Sequence, residues 1–266
     1  MPIIFLIVFL LLGAASPARL LAQTSVDEAT QTPEQLPSPP EELPSSTEQL
    51  PSLTIPRTNF ASKFLKEQQE LWESPAKIKA KDLKWLLPLG VGAAALLATD
   101  MKVSDAARDA EGLRAPSRFL SNWGGGASLG FAGGMFALGK LSHNKKVADT
   151  GLVAGDAVLH SQLVVHGLKM VFNRERPDKV GGHGGFWDGG RSFPSGHAAT
   201  SFALATVLAD RYKNKKLVVF GAYGLATAVS LSRIGGLNHH PSDVLIGAAI
   251  GHLIGRFVLN RHPAEE

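Results

Sequence analysis

Residues 195–209 read SGHAATSFALATVLA. No charged side chain interrupts the stretch, and its apolar and polar residues do not alternate with a period of two, which is the pattern of a buried helix and not of a half-exposed strand. Ser195 at its head is a preferred N-cap. The same pattern recurs outward in both directions, at Trp85–Thr99, Gly124–Gly139, Thr150–Phe172, Leu217–Ser232 and Asp243–Leu259, each rich in Ala, Gly, Leu and Val. Together these segments predict an all-α fold, a bundle of about six core helices over residues 85–261. Their small residues let helices approach closely. Most of the uncharged stretches are shorter than the roughly 20 residues of a spanning helix, and the third carries Asp156, His160, Gln162 and His166. Membrane helices and a buried soluble core both fit. His160 and His166 read as helix-face or core residues.

Before the bundle the composition changes twice. Residues 1–22 hold an apolar run, Pro2–Leu12, then small residues around Ala14–Ala18, the pattern of an export signal or, since no Lys or Arg precedes the run, an N-terminal anchor. Residues 23–57 contain seven of the 16 prolines and six acidic residues against the single Arg57. Leu-Pro-Ser recurs at Leu36, Leu43 and Leu50, and so much proline makes the stretch a disordered linker and not a coiled coil. Over residues 58–84, Phe60, Phe64 and Leu71 alternate with Lys and Glu, which predicts an amphipathic surface helix.

Overall composition excludes several classes. Hydrophobic residues are 44% of the chain and charged residues 19%, too apolar for disorder. A net charge of +4 comes without an Arg/Lys stripe interleaved with aromatics, so nucleic acid is not an expected partner. There are no cysteines, which removes disulfides, thiolate metal sites and cysteine nucleophiles.

Three polar clusters interrupt the apolar pattern: Lys169, six residues, Arg176-Pro177; Pro194-Ser195-Gly196-His197; and Ser232-Arg233, five residues, His239, three residues, Asp243. Each lies at a predicted helix end, and consecutive antiparallel helices bring those ends to one face. Phosphoryl transfer needs positive charge around the equatorial oxygens, which Lys169, Arg176 and Arg233 supply. Ser195 and Gly196 open a helix whose free amides and dipole favour an anion. His239 and Asp243, four apart, share a helix face, so the carboxylate can hold one ring nitrogen protonated and leave the other nucleophilic. His197 is then the general acid. Taken singly, Lys169 and Arg176 read as ordinary helix C-terminal cations, Ser195 as a simple cap and His197 as a packing residue. His183, His197, His239, His240 and Asp243 are also zinc-type donors, but three converging cations repel a divalent ion, so neither metal nor cofactor is expected. The loop Gly181–Gly190 lacks the strand–helix setting of a nucleotide loop and reads as a lid.

The three clusters resemble the signature of the type-2 phosphatidic acid phosphatase superfamily, which includes lipid phosphate phosphatases, bacterial class A acid phosphatases and vanadium haloperoxidases. Lys169, Arg176, Pro177, Pro194, Ser195, Gly196, His197, Ser232, Arg233, His239 and Asp243 all match. The resemblance implies an all-helical core, a phosphohistidine formed at His239 and no metal. Apolar surroundings point to a phosphorylated lipid, such as phosphatidic acid or a polyprenyl pyrophosphate, in a bacterial-type inner membrane. A small phosphoester turned over by a soluble periplasmic enzyme, a vanadate-dependent haloperoxidase and an inactive anchor are the alternatives.

Charge at the other helix ends bears on orientation. If the bundle spans a membrane, Lys140, Lys145 and Lys146, then Arg211, Lys213, Lys215 and Lys216, then Arg256 and Arg261 belong on its inner side, leaving the clusters facing the periplasm or exterior. Six spans counted back from there put Lys77–Lys84 inside as well. An anchor with its N-terminus outside, one apolar segment that does not span, and an exported soluble domain are the three arrangements compatible with that count. Oligomeric state has no signature in the sequence.

Overall fold

The computed structural model describes residues 57–77, 79–122, 125–179 and 183–264, so the expected signal or anchor and nearly all of the Pro-rich linker lie outside the described residues. Among them the only extended regular structure is helical: α1 (Arg57–Glu73), α2 (Leu83–Asp109), α3 (Glu111–Asn122), α4 (Gly125–Leu141), α5 (Lys145–Phe172), α6 (Gly196–Arg211), α7 (Lys216–Gly235) and α8 (Pro241–Arg261). Each of the six apolar segments is a helix, and α3 is an addition, its polar sequence EGLRAPSRFLSN carrying too few apolar residues to stand out. Over the amphipathic stretch the α-helix ends at Glu73 and the chain continues through two 3-10 turns, Ser74–Lys77 and Ala80–Asp82. Pro75 accounts for the break, since proline disfavours the helical conformation of the residue before it.

Helix α6 occupies the centre, packed against α5, α7 and α8, while α4 lies on α5 and α3 on α7. One face of α8 contributes Ile246, Ile250, Ile254 and Val258 to the core, and the facing residues of α6 are Ala199, Ala203 and Val207. The close approach of these two helices depends on glycine: a Cβ at Gly247 or Gly251 would collide with the carbonyl oxygen of Ser195 or Ala199.

Local chemistry sets the helix ends that matter. Helix α5 begins on Asn144, whose side chain accepts from Val147 N, and ends at Asn173 in the left-handed conformation (φ 44°), which asparagine tolerates better than most residues. Helix α6 begins on Ser195, whose Oγ accepts from Ala198 N at 3.4 Å. Helix α8 begins with Pro241 just inside His240, the favoured place for proline. The chain therefore reaches one end of the bundle at the close of α5 and α7 and the opening of α6 and α8.

The outer faces are apolar. Trp85, Leu87 and Val91 of α2, Leu138 and Leu141 of α4, and Leu217, Phe220 and Leu225 of α7 are all more than half exposed, which is the surface of a chain that contacts lipid or another protein. Among the described residues three segments, Ala80–Asp109, Lys216–Gly235 and Pro241–Arg261, are helical, long and apolar enough to cross a membrane.

Candidate active site

The four helix ends bring the expected residues to one place. Lys169, in the last turn of α5, donates from Nζ to the carbonyl of Arg191 and, at 3.5 Å, to that of Ser192. Burial pushes its ammonium down to about 8, with Arg176, Arg233 and Arg191 acting in the same direction and Asp243 opposing them. Arg233 is buried in the last turn of α7. Its carbonyl accepts from Asn238 N at 3.0 Å and His239 N at 3.2 Å, folding the connection back towards the site. Ser195 N donates to the Asp243 carbonyl at 3.0 Å, joining the start of α6 to the start of α8.

Both histidines are neutral at pH 7. Burial pushes His197, at the start of α6, down to about 3, and Arg233, His239, Lys169 and Arg176 add to the effect. Burial also pushes His239 down to about 4, against the pull of Asp243. His239 is 2% exposed. Its Nδ1 lies 3.7 Å from Asp243 Oδ2, an ion-pair distance longer than a hydrogen bond. A carboxylate facing Nδ1 favours the proton there and leaves Nε2 with its lone pair.

Asp243 is more heavily engaged than its spacing from His239 indicates. Oδ1 accepts from Arg174 Nη1 at 2.6 Å, and Oδ2 accepts from the backbone amide of His240 at 2.8 Å and from Ser192 Oγ at 2.5 Å. Arg174 in turn donates from Nη2 to Asp100 Oδ2 at 2.8 Å and from Nη1 to Ser242 Oγ at 2.8 Å. Asp100 also accepts from the backbone amide of Ser242 at 3.0 Å, tying α2 to the start of α8. His240 Nδ1 lies 2.9 Å from Ser104 Oγ, a second link to α2.

Arg174, Asp100, Ser192 and Ser242 escaped the sequence reading. Two signals were available. Arg174 stands two residues before Arg176 in a loop of charged residues, and Asp100 is the carboxylate that closes the uncharged run Trp85–Thr99 of α2, where an ionisable side chain needs a partner.

Residues 183–190 of the glycine-rich loop are tied to the end of α5. Trp187 N donates to Phe172 O at 2.9 Å, Gly190 N to Asn173 O at 3.0 Å and Glu175 N to Gly185 O at 2.9 Å. Arg174 Nε donates to Gly184 O at 3.0 Å. Phe186 packs edge-on against Phe172 and Phe193. Residues 181 and 182 of the expected lid lie outside the described residues.

Residues 151–266 match the sequence model of the PAP2 superfamily. Over this stretch the chain is similar to the PAP2 superfamily. The stretch contains all three polar clusters. Among curated proteins, a lipid A 1-phosphatase of Porphyromonas gingivalis is 38% identical over 93 residues, 35% of this chain and 19% of that one. Lipid phosphate phosphatase 1 of Arabidopsis thaliana is 31% identical over 134 residues, 38% of this chain and 41% of that one. The chain thus spans less than half the length of either relative. Among solved structures, a transmembrane PAP2 type phosphatidylglycerolphosphate phosphatase from Bacillus subtilis is similar with a TM-score of 0.54 and 25% identity, covering 69% of this chain and 96% of that one. Three span-capable helices and a transmembrane neighbour of the same fold support a membrane protein.

Proposed function

We propose that this PAP2-like domain is a metal-independent phosphatase that hydrolyses phosphate monoesters or pyrophosphates of lipids through a phosphohistidine. The observation that carries this reading is a buried neutral His239, Nδ1 towards Asp243, beside a cluster of cations: Lys169, Arg176 and Arg233 act on His197, and Lys169 and Arg233 act on His239 as well. Lys169, Arg176 and Arg233 hold the phosphoryl oxygens, with the Gly196 amide at the helix start and the Ser195 hydroxyl adding donors. His239 Nε2 attacks phosphorus as the bond to the leaving oxygen breaks, and His197 gives that oxygen its proton. Water then attacks the phosphohistidine, with His197 taking a proton from the water, and phosphate leaves. Asp243 stabilises the imidazolium charge that His239 gains in the first step.

A lipid substrate is favoured by a cavity of about 400 Å³ lined by Phe119, Phe131, Leu204, Leu225 and Val229 among others. It reaches Ser201, one turn along α6 from His197, and Val229, one turn before Arg233. An acyl or isoprenyl chain in that cavity leaves the phosphate at the polar end. The clusters of Lys and Arg at the opposite helix ends support an active site on the periplasmic or external side of the membrane.

The full chain purified in detergent is expected to release inorganic phosphate from phosphatidic acid or a polyprenyl pyrophosphate faster than from p-nitrophenyl phosphate. His239→Ala is expected to lower turnover by roughly 10⁴-fold or more and to trap no phosphoenzyme. Full activity in that variant rejects the nucleophile, and a preference for the small ester rejects the lipid reading.

A further inference from the structure

Several helical turns along α5 from Lys169, a second cluster of ionisable groups has no part in the reaction above. It joins Glu67 of α1, Asp156 and His160 of α5, and His262 at the end of α8. Glu67 and Asp156 are buried, at 4% and 7% exposure. One carboxylate oxygen of each and one ring nitrogen of His262 lie within 4.8 Å of one another. Asp156 Oδ2 stands 3.4 Å from His262 Nε2.

Wholly buried His160 lies behind this trio. Gln68 Nε2 donates to its Nδ1 at 2.7 Å, and its Nε2 faces Glu67 Oε2 at 3.2 Å and Asp156 Oδ1 at 3.5 Å. With Nδ1 accepting, Nε2 carries the hydrogen and donates a hydrogen bond to Glu67. The imidazole therefore orients the carboxylates without cancelling their charge. Phe64 stacks on the ring at 4.2 Å between centroids and fixes its plane.

Positive charge at this place is scarce. Lys63, half exposed, comes within 3.9 Å of Glu67 and 3.4 Å of His262 Nε2. Arg211 reaches the His262 carbonyl at 2.7 Å but is paired with Asp149 at 3.0 Å. Two buried carboxylates against one mobile ammonium leave a negative site, which is costly without a further cation.

We propose that Glu67, Asp156 and His262 bind a divalent transition-metal ion of the zinc class, and that the ion staples α1 and the end of α8 onto α5. Carboxylate oxygens and an imidazole nitrogen are zinc ligands, and bonds of about 2.0–2.1 Å in a tetrahedron set donors about 3.3 Å apart, close to the separation of Asp156 and His262. A hydrogen bond from a neighbouring group to a ligating carboxylate is the usual outer support of such a site, and His160 supplies it to Glu67. Lys63, on its flexible stem, is the group the ion displaces. The site lies about 20 Å along α5 from Lys169, so the ion holds the fold together and leaves the phosphoryl chemistry metal-free.

The test uses the full chain in detergent, stripped with a chelator, dialysed and titrated with zinc chloride. Elemental analysis is expected to give close to one zinc per chain, with a rise in melting temperature of several degrees that magnesium chloride does not reproduce. Asp156→Asn and His262→Ala are expected to lose both effects. His262 is only partly buried, so the metal-free His262→Ala variant is expected to match the metal-free parent in circular dichroism and melting temperature. Phosphate release is expected to be the same for stripped and loaded protein. Failure of the parent to retain zinc, or an equal zinc content and melting shift in His262→Ala, overturns the proposal.

Discussion

Arg174 Nη1 lies 2.6 Å from Asp243 Oδ1, while the other oxygen of the same carboxylate stands 3.7 Å from His239 Nδ1. The carboxylate that faces the candidate nucleophile is thus held from behind by a buried guanidinium, which is itself anchored to Asp100 on another helix. The setting of the carboxylate beside His239 thus depends on α2, through Asp100 and Arg174.

This arrangement makes Arg174 a positioning residue. Arg174→Ala strips the counter-charge from two buried carboxylates and is expected to cost about 3–5 kcal/mol of stability. Arg174→Lys keeps the charge but cannot span Asp100 and Asp243 with a fork. It is expected to fold, to bind substrate with an unchanged KM and to lose roughly 10- to 100-fold in kcat, the scale known for outer partners of metal ligands. A purely structural role predicts wild-type kcat in every Arg174→Lys molecule that folds, and steady-state kinetics on the monodisperse fraction distinguishes the two.

His197 must be protonated to serve the leaving group, yet burial and the surrounding cations hold it neutral in the free site, at about 3. A bound dianion cancels the repulsion from Lys169, Arg176 and Arg233 and lifts His197, so binding an oxyanion is expected to take up close to one proton. Calorimetry of tungstate binding at pH 7.5, in buffers of differing ionisation enthalpy, measures this directly. His197→Ala is expected to abolish the uptake and to slow esters with poor leaving groups more than those with good ones, within a range of about 10²–10⁴. Equal enthalpies in all buffers for the parent would remove His197 from that role.

Stability follows pH through the same residues. His239 ordinarily titrates near 6.5 and is pushed down to about 4 in the fold. Below pH 6.5 the unfolded chain binds a proton that the folded one refuses, so the contribution is complete above 6.5 and is lost as pH falls towards 4. At about 1.4 kcal/mol per unit, His239 alone accounts for about 3 kcal/mol. Thermal melts between pH 7 and 4.5 are expected to fall less steeply for His239→Asn than for the parent. Parallel curves would count against burial as the cause.

Orientation can be read with single cysteines, because the chain has none of its own. Asp188 is exposed near the site, and Lys213 is exposed at the opposite end of α6. In intact cells Asp188→Cys is expected to react with a membrane-impermeant maleimide, and Lys213→Cys only after lysis. The reverse pattern would turn the site to the cytoplasm, and labelling of both in intact cells would mean that the domain does not span.

Much of this was legible in the chain alone. The apolar segments announced helices because an uncharged run without a period of two suits only a buried helix at these lengths, as Ser195–Ala209 illustrates. Lys169, Ser195, Arg233 and His239 were placed at helix ends because caps, prolines and cations mark those ends locally. Helix α3 was not legible, since it is only 12 residues long with Pro116 inside it, and its few apolar residues make too brief a pattern to be told from a loop. Arg174 and Asp100 were passed over for a different reason: they lie far apart in sequence, and an arginine in a loop says nothing of a carboxylate on a distant helix.

By itself, then, the sequence determined the helices, their ends and the residue types gathered there, because hydrophobic period, capping and charge are properties of neighbours along the chain. Which oxygen of Asp243 faces His239, and which is held by Arg174, only the tertiary structure decided. That choice depends on how closely Gly247 and Gly251 let α8 approach α6, and on where α2 sets Asp100, and packing distances between separate helices are not written in any local pattern.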